Sequence, residues 1–272
     1  MTLMSEQSRI RGEARAGTLR IAYQAQGDGP PLVCCHAMGW DHTLWDPHRP
    51  RLSANHRLIT FDHRGCGDSD HPTDPRLYTA EGFEADLTAV LDALDVERAR
   101  VVGYSMGAVA ALRLAIARPE RVERLALVSA MASRLPEPVI ERARNIAAMV
   151  ESHGLEATYR AYFDGPLFDG APKGAAFEKR LAACVAKATS HGFLGCFSVA
   201  IDRPSLADQL RRIAAPTLIL VGERDAHYVP EAEMMAQRIP EARVEIVRGA
   251  GHALSAEAPE RFETTLLRFF AE

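Results

Sequence analysis

The sequence predicts an α/β fold: a mostly parallel eight-stranded sheet with helices on both faces and an inserted helical cap. Three features lead to that reading. Short apolar runs at residues 32–35, 58–61, 100–104, 122–128, 217–221 and 244–247 alternate with longer stretches of helical spacing. That rhythm marks parallel strands joined by crossover helices, and continuous apolar runs belong to strands buried on both faces. Second, Gly103-Tyr104-Ser105-Met106-Gly107 joins one of those strands to an apolar helix over residues 106–118, stopped by Pro119. Third, the rhythm lapses between Ser133 and Ser205 and resumes at Pro216, as an insertion between two strands requires.

At 272 residues the chain is long for one domain, about 100–200 being usual, although α/β folds run to about 250. One domain with an insertion is expected: a core of residues 1–132 and 206–272, and a cap of 133–205. A hydrophobic fraction of 47% with 25% charged residues suits a large buried core. The net charge of −4 is spread over mixed signs, without a basic stripe or an acidic tail, so neither nucleic acid nor an anionic membrane is an expected partner. A small molecule is, and a homo-oligomer is compatible with this composition. Residues 1–12 are polar, and no run of 18 apolar residues occurs, so a cytoplasmic protein is expected.

Taken in order, residues 10–14 and 19–24 alternate as two antiparallel edge strands around Gly17. Gly27-Asp28-Gly29-Pro30-Pro31 is a loop, and the buried strand 32–35 enters the turn His36-Ala37-Met38-Gly39-Trp40. His36 is expected to hydrogen-bond neighbouring loops. After strand 58–61, Asp62-His63-Arg64-Gly65-Cys66-Gly67-Asp68 reads as a tight turn in which the Arg64 fork ties loops together. Residues 78–94 form an amphipathic helix with Phe83, Leu87, Val90, Leu91 and Leu94 on one face. In the insertion, residues 139–153 have helical spacing that ends at Gly154, followed by aromatics from Tyr159 to Phe197 among Gly and Pro. A cap of this kind covers an apolar pocket and excludes water from it. Helices over 230–238 and 259–270 complete the chain.

Ser105, Asp225 and His252 fall at the carboxyl ends of three expected parallel strands, the edge at which open α/β sheets bind ligands. Small residues two before and two after Ser105 allow a strand to reverse sharply into a helix, which lifts the hydroxyl above the sheet. A serine is a weak nucleophile until an imidazole takes its proton and a carboxylate fixes that imidazole. Glu223 is a rival to Asp225 for the acid. An oxyanion needs two preorganised donors, each worth about 2.7–4 kcal/mol of barrier, and the N–H groups of Met38 and Met106 are the candidates.

The five cysteines lack metal-ligand spacing. Cys34 and Cys35 are expected to pack as small hydrophobes, and Cys66, beside Arg64, is the thiol with a reason to be reactive. His36, His42, His48 and His63 show no compact ligand pattern, so no metal and no cofactor is expected. Arg134, Arg160 and Arg203 lie in or near the insertion and are candidates to recognise a substrate carboxylate, but arginines are usually exposed and these are read as solvent-facing.

Gly103-Tyr104-Ser105-Met106-Gly107, Asp62-His63-Arg64-Gly65-Cys66-Gly67-Asp68-Ser69, Gly222-Glu223-Arg224-Asp225 and Gly251-His252 together resemble a serine hydrolase of the α/β-hydrolase superfamily, over nearly the whole chain. The resemblance implies Ser105 as nucleophile with Asp225 and His252 as its partners, a catalytic triad, and the N–H groups of Met38 and Met106 as the oxyanion hole. Two departures stand out: His36-Ala37 where the family has His-Gly, and a longer segment after Asp225 that brings His227 towards the pocket. Met38-Gly39, Leu44-Trp45-Asp46-Pro47 and Gly192-Phe193-Leu194-Gly195-Cys196 are similar to the 3-oxoadipate enol-lactonase branch. The implied function is hydrolysis of a carboxylic ester through an acyl-enzyme. The alternatives are a lactone hydrolase, a carbon–carbon bond hydrolase and a non-catalytic ligand receptor that keeps the pocket.

Overall fold

A computed structural model describes residues 9–272. The polar start of the chain, residues 1–8, lies outside the described residues. Two antiparallel strands, β1 (Ile10–Ala16) and β2 (Leu19–Gln26), form one margin of an eight-stranded sheet, and β2 pairs antiparallel with β4 (Arg57–Phe61). Every other pairing, through β3 (Pro31–Cys35), β5 (Ala99–Tyr104), β6 (Val122–Val128), β7 (Thr217–Gly222) and β8 (Ala242–Val247), is parallel. The order is β1-β2-β4-β3-β5-β6-β7-β8. From β3 the chain moves outward to β4 and then returns to the other side of β3 as β5. The crevice at the carboxyl ends of β3 and β5 is therefore the topological switch point of the sheet.

Burial accounts for the strand sequences. All six residues of β7 are buried, as are the last four of β3, β4, β5 and β6, which is why these strands are continuous apolar runs. The edge strand β1 exposes most of its residues.

Nine helices pack around the sheet among the described residues. The short α1 (Arg49–Leu52) precedes α2 (Ala80–Ala93), whose first free N–H groups are capped by Thr79, its hydroxyl accepting from Gly82 N at 2.9 Å. Helix α3 (Gly107–Ala117) is buried along almost its whole length. The segment between β6 and β7 carries α4 (Glu137–Phe163), α5 (Ala175–Lys187) and α6 (Ser190–Asp202). The chain then adds α7 (Val229–Arg238), α8 (Leu254–Glu257) and α9 (Pro259–Ala271). The helical spacing that ends at Gly154 in the sequence is matched by a break there, at φ 79°. Beyond it a second helical stretch runs on to Phe163, where the sequence reading saw only scattered aromatics; Thr158, Tyr159 and Phe163 turn it inward. No single helix among the described residues is long and apolar enough to cross a membrane.

Both links to the inserted helices are pinned. Arg203, only 7% exposed, donates to the carbonyls of Met131, Ala132 and Ser133, while Glu231 accepts from Ala132 N and Ser133 N and Leu206 N donates to Ala132 O. Arg203 is thus a structural clasp, not the solvent-facing side chain expected. Its removal strands buried carbonyl acceptors, so Arg203→Ala is expected to cost about 2–4 kcal/mol of unfolding free energy, measured by urea denaturation. An unchanged midpoint contradicts this role.

Histidine burial sets the acid limit of stability. Burial lowers the pKa of His36, His48, His56, His63 and His71 below the ordinary 6.5. The unfolded chain therefore takes up protons that the native form refuses until lower pH, and stability falls as pH drops through that range. His42 opposes them: burial lowers its pKa, but its hydrogen bond to Asp62 and the nearby acids outweigh burial and raise it. Its contribution is complete below 6.5 and fades as pH rises through the raised value. Five groups outweigh one, so the melting temperature is expected to fall between about pH 7 and pH 5. A melting temperature that rises over that interval contradicts the assignment.

Candidate active site

Strand β5 delivers Ser105 to the switch point through a turn with no spare volume. A Cβ on Gly107 would lie 2.5 Å from the Cys35 carbonyl oxygen and 2.6 Å from that of His36, and a Cβ on Gly103 would lie 2.6 Å from Ala108 Cα. Only glycine lets α3 start this close to the end of β3. Ser105 itself is held at φ 49°, a left-handed conformation rare for a residue with a side chain, and its N–H donates to Val128 O at 2.9 Å. Such strain is kept only where the surroundings impose it.

Two loops bring the other groups to the hydroxyl. His252 Nε2 lies 3.0 Å from Ser105 Oγ, and His252 Nδ1 lies 2.7 Å from Asp225 Oδ2. Asp225 and His252 are each 4% exposed. Neither loop is free to wander. Tyr104 donates its hydroxyl to His252 O at 2.8 Å, and Ser129 does so at 3.3 Å. Arg224 N donates to Ala250 O, while the Arg224 side chain bonds Gly249 O and Glu257, which also accepts from Gly251 N. Glu223, the rival acid, is spent on Gly249 N.

The turn after β3 settles the departure at Ala37. Trp40 N donates to Ala37 O across Met38-Gly39, and the positive φ, 78°, falls on Gly39, so position 37 tolerates a side chain. His36 braces the turn as expected: His63 N donates to its Nε2 at 3.1 Å, which leaves the proton on Nδ1 to donate to Ala37 O at 3.0 Å. Met38 and Met106 both border the space around Ser105. Met106 stands immediately before α3, so its N–H is one of the donors that a helix start leaves free.

Ser105 and His252 lie between two cavities. One, of about 320 Å³, is walled by Trp40, Tyr162, Phe168 and Phe177; the other, of about 90 Å³, is lined by Met106, Val109, Met131 and Phe197. Aromatics from the inserted helices therefore form much of the roof. Tyr228 was missed by sequence reasoning. Its ring centre is 4.6 Å from that of His252, it shares the lining of the smaller cavity with Ser105, and burial raises the pKa of its hydroxyl. The signal was present in its position three residues after Asp225. His227, expected near the pocket, is exposed and borders a cleft of about 480 Å³ that is also lined by Asp225, Tyr228 and His252.

The residues around this centre serve as bracing. Arg64 donates to Asp86, Leu77 O and Gly82 O, tying three segments together as its position suggested. Asp41, His42 and Asp62 bring ligand-type atoms within 4.8 Å of one another. Their lone pairs are engaged: Asp62 accepts from His42 N and Asp68 N and pairs with His42 Nδ1, and Asp41 accepts from Thr43 N. That trio is a buried strut. Cys66 corrects the expectation of a reactive thiol, because its Sγ lies 3.5 Å from Cys196 Sγ, and that contact together with burial raises its pKa well above 9.0. Arg134 is exposed, and Arg160 pairs with Glu156 and Glu178 at the surface.

This geometry has relatives. The model of the alpha/beta hydrolase family matches residues 32–265. The chain is 32% identical over 271 residues to RutD of Azorhizobium caulinodans, provisionally named a carbamate hydrolase, covering 95% of this chain and 98% of that protein. It is 28% identical to 3-oxoadipate enol-lactonase 1 of Acinetobacter baylyi, covering 95% and 96% of the two chains. The crystal structure of the enol-lactonase from Burkholderia xenovorans LB400 superposes with a TM-score of 0.84 at 25% identity, covering 96% of this chain and 100% of that one. By its sheet, its turn at Ser105 and a family match that spans most of its length, the chain belongs to the alpha/beta hydrolase family.

Proposed function

We propose that the protein hydrolyses a carboxylic ester through an acyl-enzyme on Ser105. The observation that carries this reading is the chain of contacts from Ser105 Oγ to His252 Nε2 at 3.0 Å and from His252 Nδ1 to Asp225 Oδ2 at 2.7 Å, opening onto a cavity. Residues 133–205 act as the cap of that cavity on a core of residues 1–132 and 206–272.

In this scheme Ser105 Oγ attacks the substrate carbonyl as His252 Nε2 takes its proton. Asp225 holds the Nδ1–H tautomer and stabilises the imidazolium. The oxyanion accepts from Met38 N–H and Met106 N–H, the second aided by the start of α3. His252 then returns the proton to the leaving alcohol, and a water activated by the same imidazole releases the acid from Ser105. No cofactor enters the scheme.

Opening of a lactone uses the same groups, the alcohol and the acid remaining in one product. The similarity to two enol-lactonases favours it as the second reading. Similarity to RutD extends the comparison to carbamates.

Steady-state kinetics on p-nitrophenyl esters, enol-lactones and carbamates, with product analysis, ranks these substrates. Ser105→Ala and His252→Ala are each expected to lower kcat/KM by about 10²–10⁴-fold or more while the melting transition is kept. Full turnover in either variant overturns the mechanism.

A further inference from the structure

Arg180 is an unpaired cation on the wall of the larger cavity. It lies on α5 three residues after Phe177 and four before Cys184, which puts it on the helix side that carries the buried Phe177, Leu181 and Cys184. Its guanidinium carbon is 5.6 Å from the centre of the Trp40 ring, and Phe177 is 5.8 Å from the same ring. The Arg180 Nε is buried without a hydrogen-bond partner, and among the described residues no acid pairs with this side chain. The buried Arg64 and Arg203 place their donors on carboxylate and carbonyl oxygens, and the buried Arg49, although it too has one unpartnered nitrogen, pairs with Asp46.

The cavity offers nothing of opposite sign. Among the described residues no aspartate or glutamate lines it, and Arg180 is its one lysine or arginine. The rest of the wall is mostly apolar and aromatic, with Ser105 and His252 at one part of it. A planar fork of donors in an apolar, acid-free chamber is suited to a carboxylate, which can accept two of its N–H groups at once. A neutral oxygen can accept from the buried Nε but leaves the charge of the guanidinium uncompensated.

We infer that the substrate carries a carboxylate on its acyl or its alcohol half, and that Arg180 holds this group while the reacting carbonyl sits at Ser105. The apolar span between the carboxylate and the reacting carbonyl would lie against the wall that carries Trp40 and Phe177. This inference rests on the reading of Ser105 as the nucleophile. Arg180 is a specificity-determining residue in this account and takes no part in bond making.

The test compares two series on the wild-type chain, Arg180→Gln and Arg180→Lys. One series is p-nitrophenyl half-esters of dicarboxylic acids of increasing length against p-nitrophenyl esters of the matching monoacids. The other is acetate esters of ω-hydroxy acids against acetate esters of the matching alcohols. In one series the charged ester is expected to exceed its neutral counterpart in kcat/KM by about 10- to 100-fold at the best chain length. Arg180→Gln removes that ratio and Arg180→Lys keeps part of it, while circular dichroism verifies the fold of each variant. If neutral esters are hydrolysed by the wild type and the charged series shows no preference, or the preference survives Arg180→Gln, this inference is overturned and the hydrolase reading stands. If no ester of either kind is hydrolysed, and enol-lactones and carbamates are not hydrolysed either, the hydrolase reading fails and this inference falls with it.

Discussion

Two carbonyl oxygens leave Gly107 no room for a side chain, and much of the site depends on that contact. Because the backbone of α3 starts against Cys35 O and His36 O, the turn after β3 and the turn after β5 are locked side by side. Ser105 is thereby held in a left-handed conformation at the point where the strand order reverses. Met38 and Met106, one from each turn, both border the cavity at Ser105. A wider gap, with an ordinary residue at position 107, would separate the two turns and relieve the constraint that holds Ser105.

From that fixed point the other parts are built by bracing across sequence distance. Tyr104, next to Ser105 in the chain, reaches the backbone of His252, so the strand that carries Ser105 also positions His252. Arg224 and Glu257 join the loop of Asp225 to the loop of His252. Arg203 and Glu231 fix both ends of the inserted helices to the sheet. The helices themselves are secured by aromatic contacts, such as Trp40 with Phe163 at 4.9 Å and Phe163 with Phe168 at the same distance. The groups around Ser105 are therefore braced by the sheet and its loops, and the roof over the cavity is built from aromatic side chains of the inserted helices.

Sequence patterns carry the parts of this design that have a local cause. Strands buried on both faces must be apolar throughout, so β3 through β7 are visible as runs, and the glycine spacing around Ser105 follows from a clash that any side chain would meet. Asp225 and His252 were legible because each ends an apolar run at a loop. What escaped depends on contacts that sequence spacing does not encode. Arg180 looks like a surface residue until Phe177, Leu181 and Cys184 are taken as one stripe, which places it inward. Tyr228 follows Asp225 closely, but only the fold lays its ring on His252. Cys66 sat beside an arginine in the sequence; in space that arginine is consumed by Asp86, and the neighbour that counts is Cys196.

The account stands on Ser105 being a nucleophile activated by its surroundings. Intact-mass measurement after exposure to a serine-directed fluorophosphonate, on the wild-type chain and on Ser105→Ala, tests this most directly. One adduct per chain, absent from the variant, is the predicted result. No adduct on the folded wild-type protein, or an adduct that persists in Ser105→Ala, would contradict it.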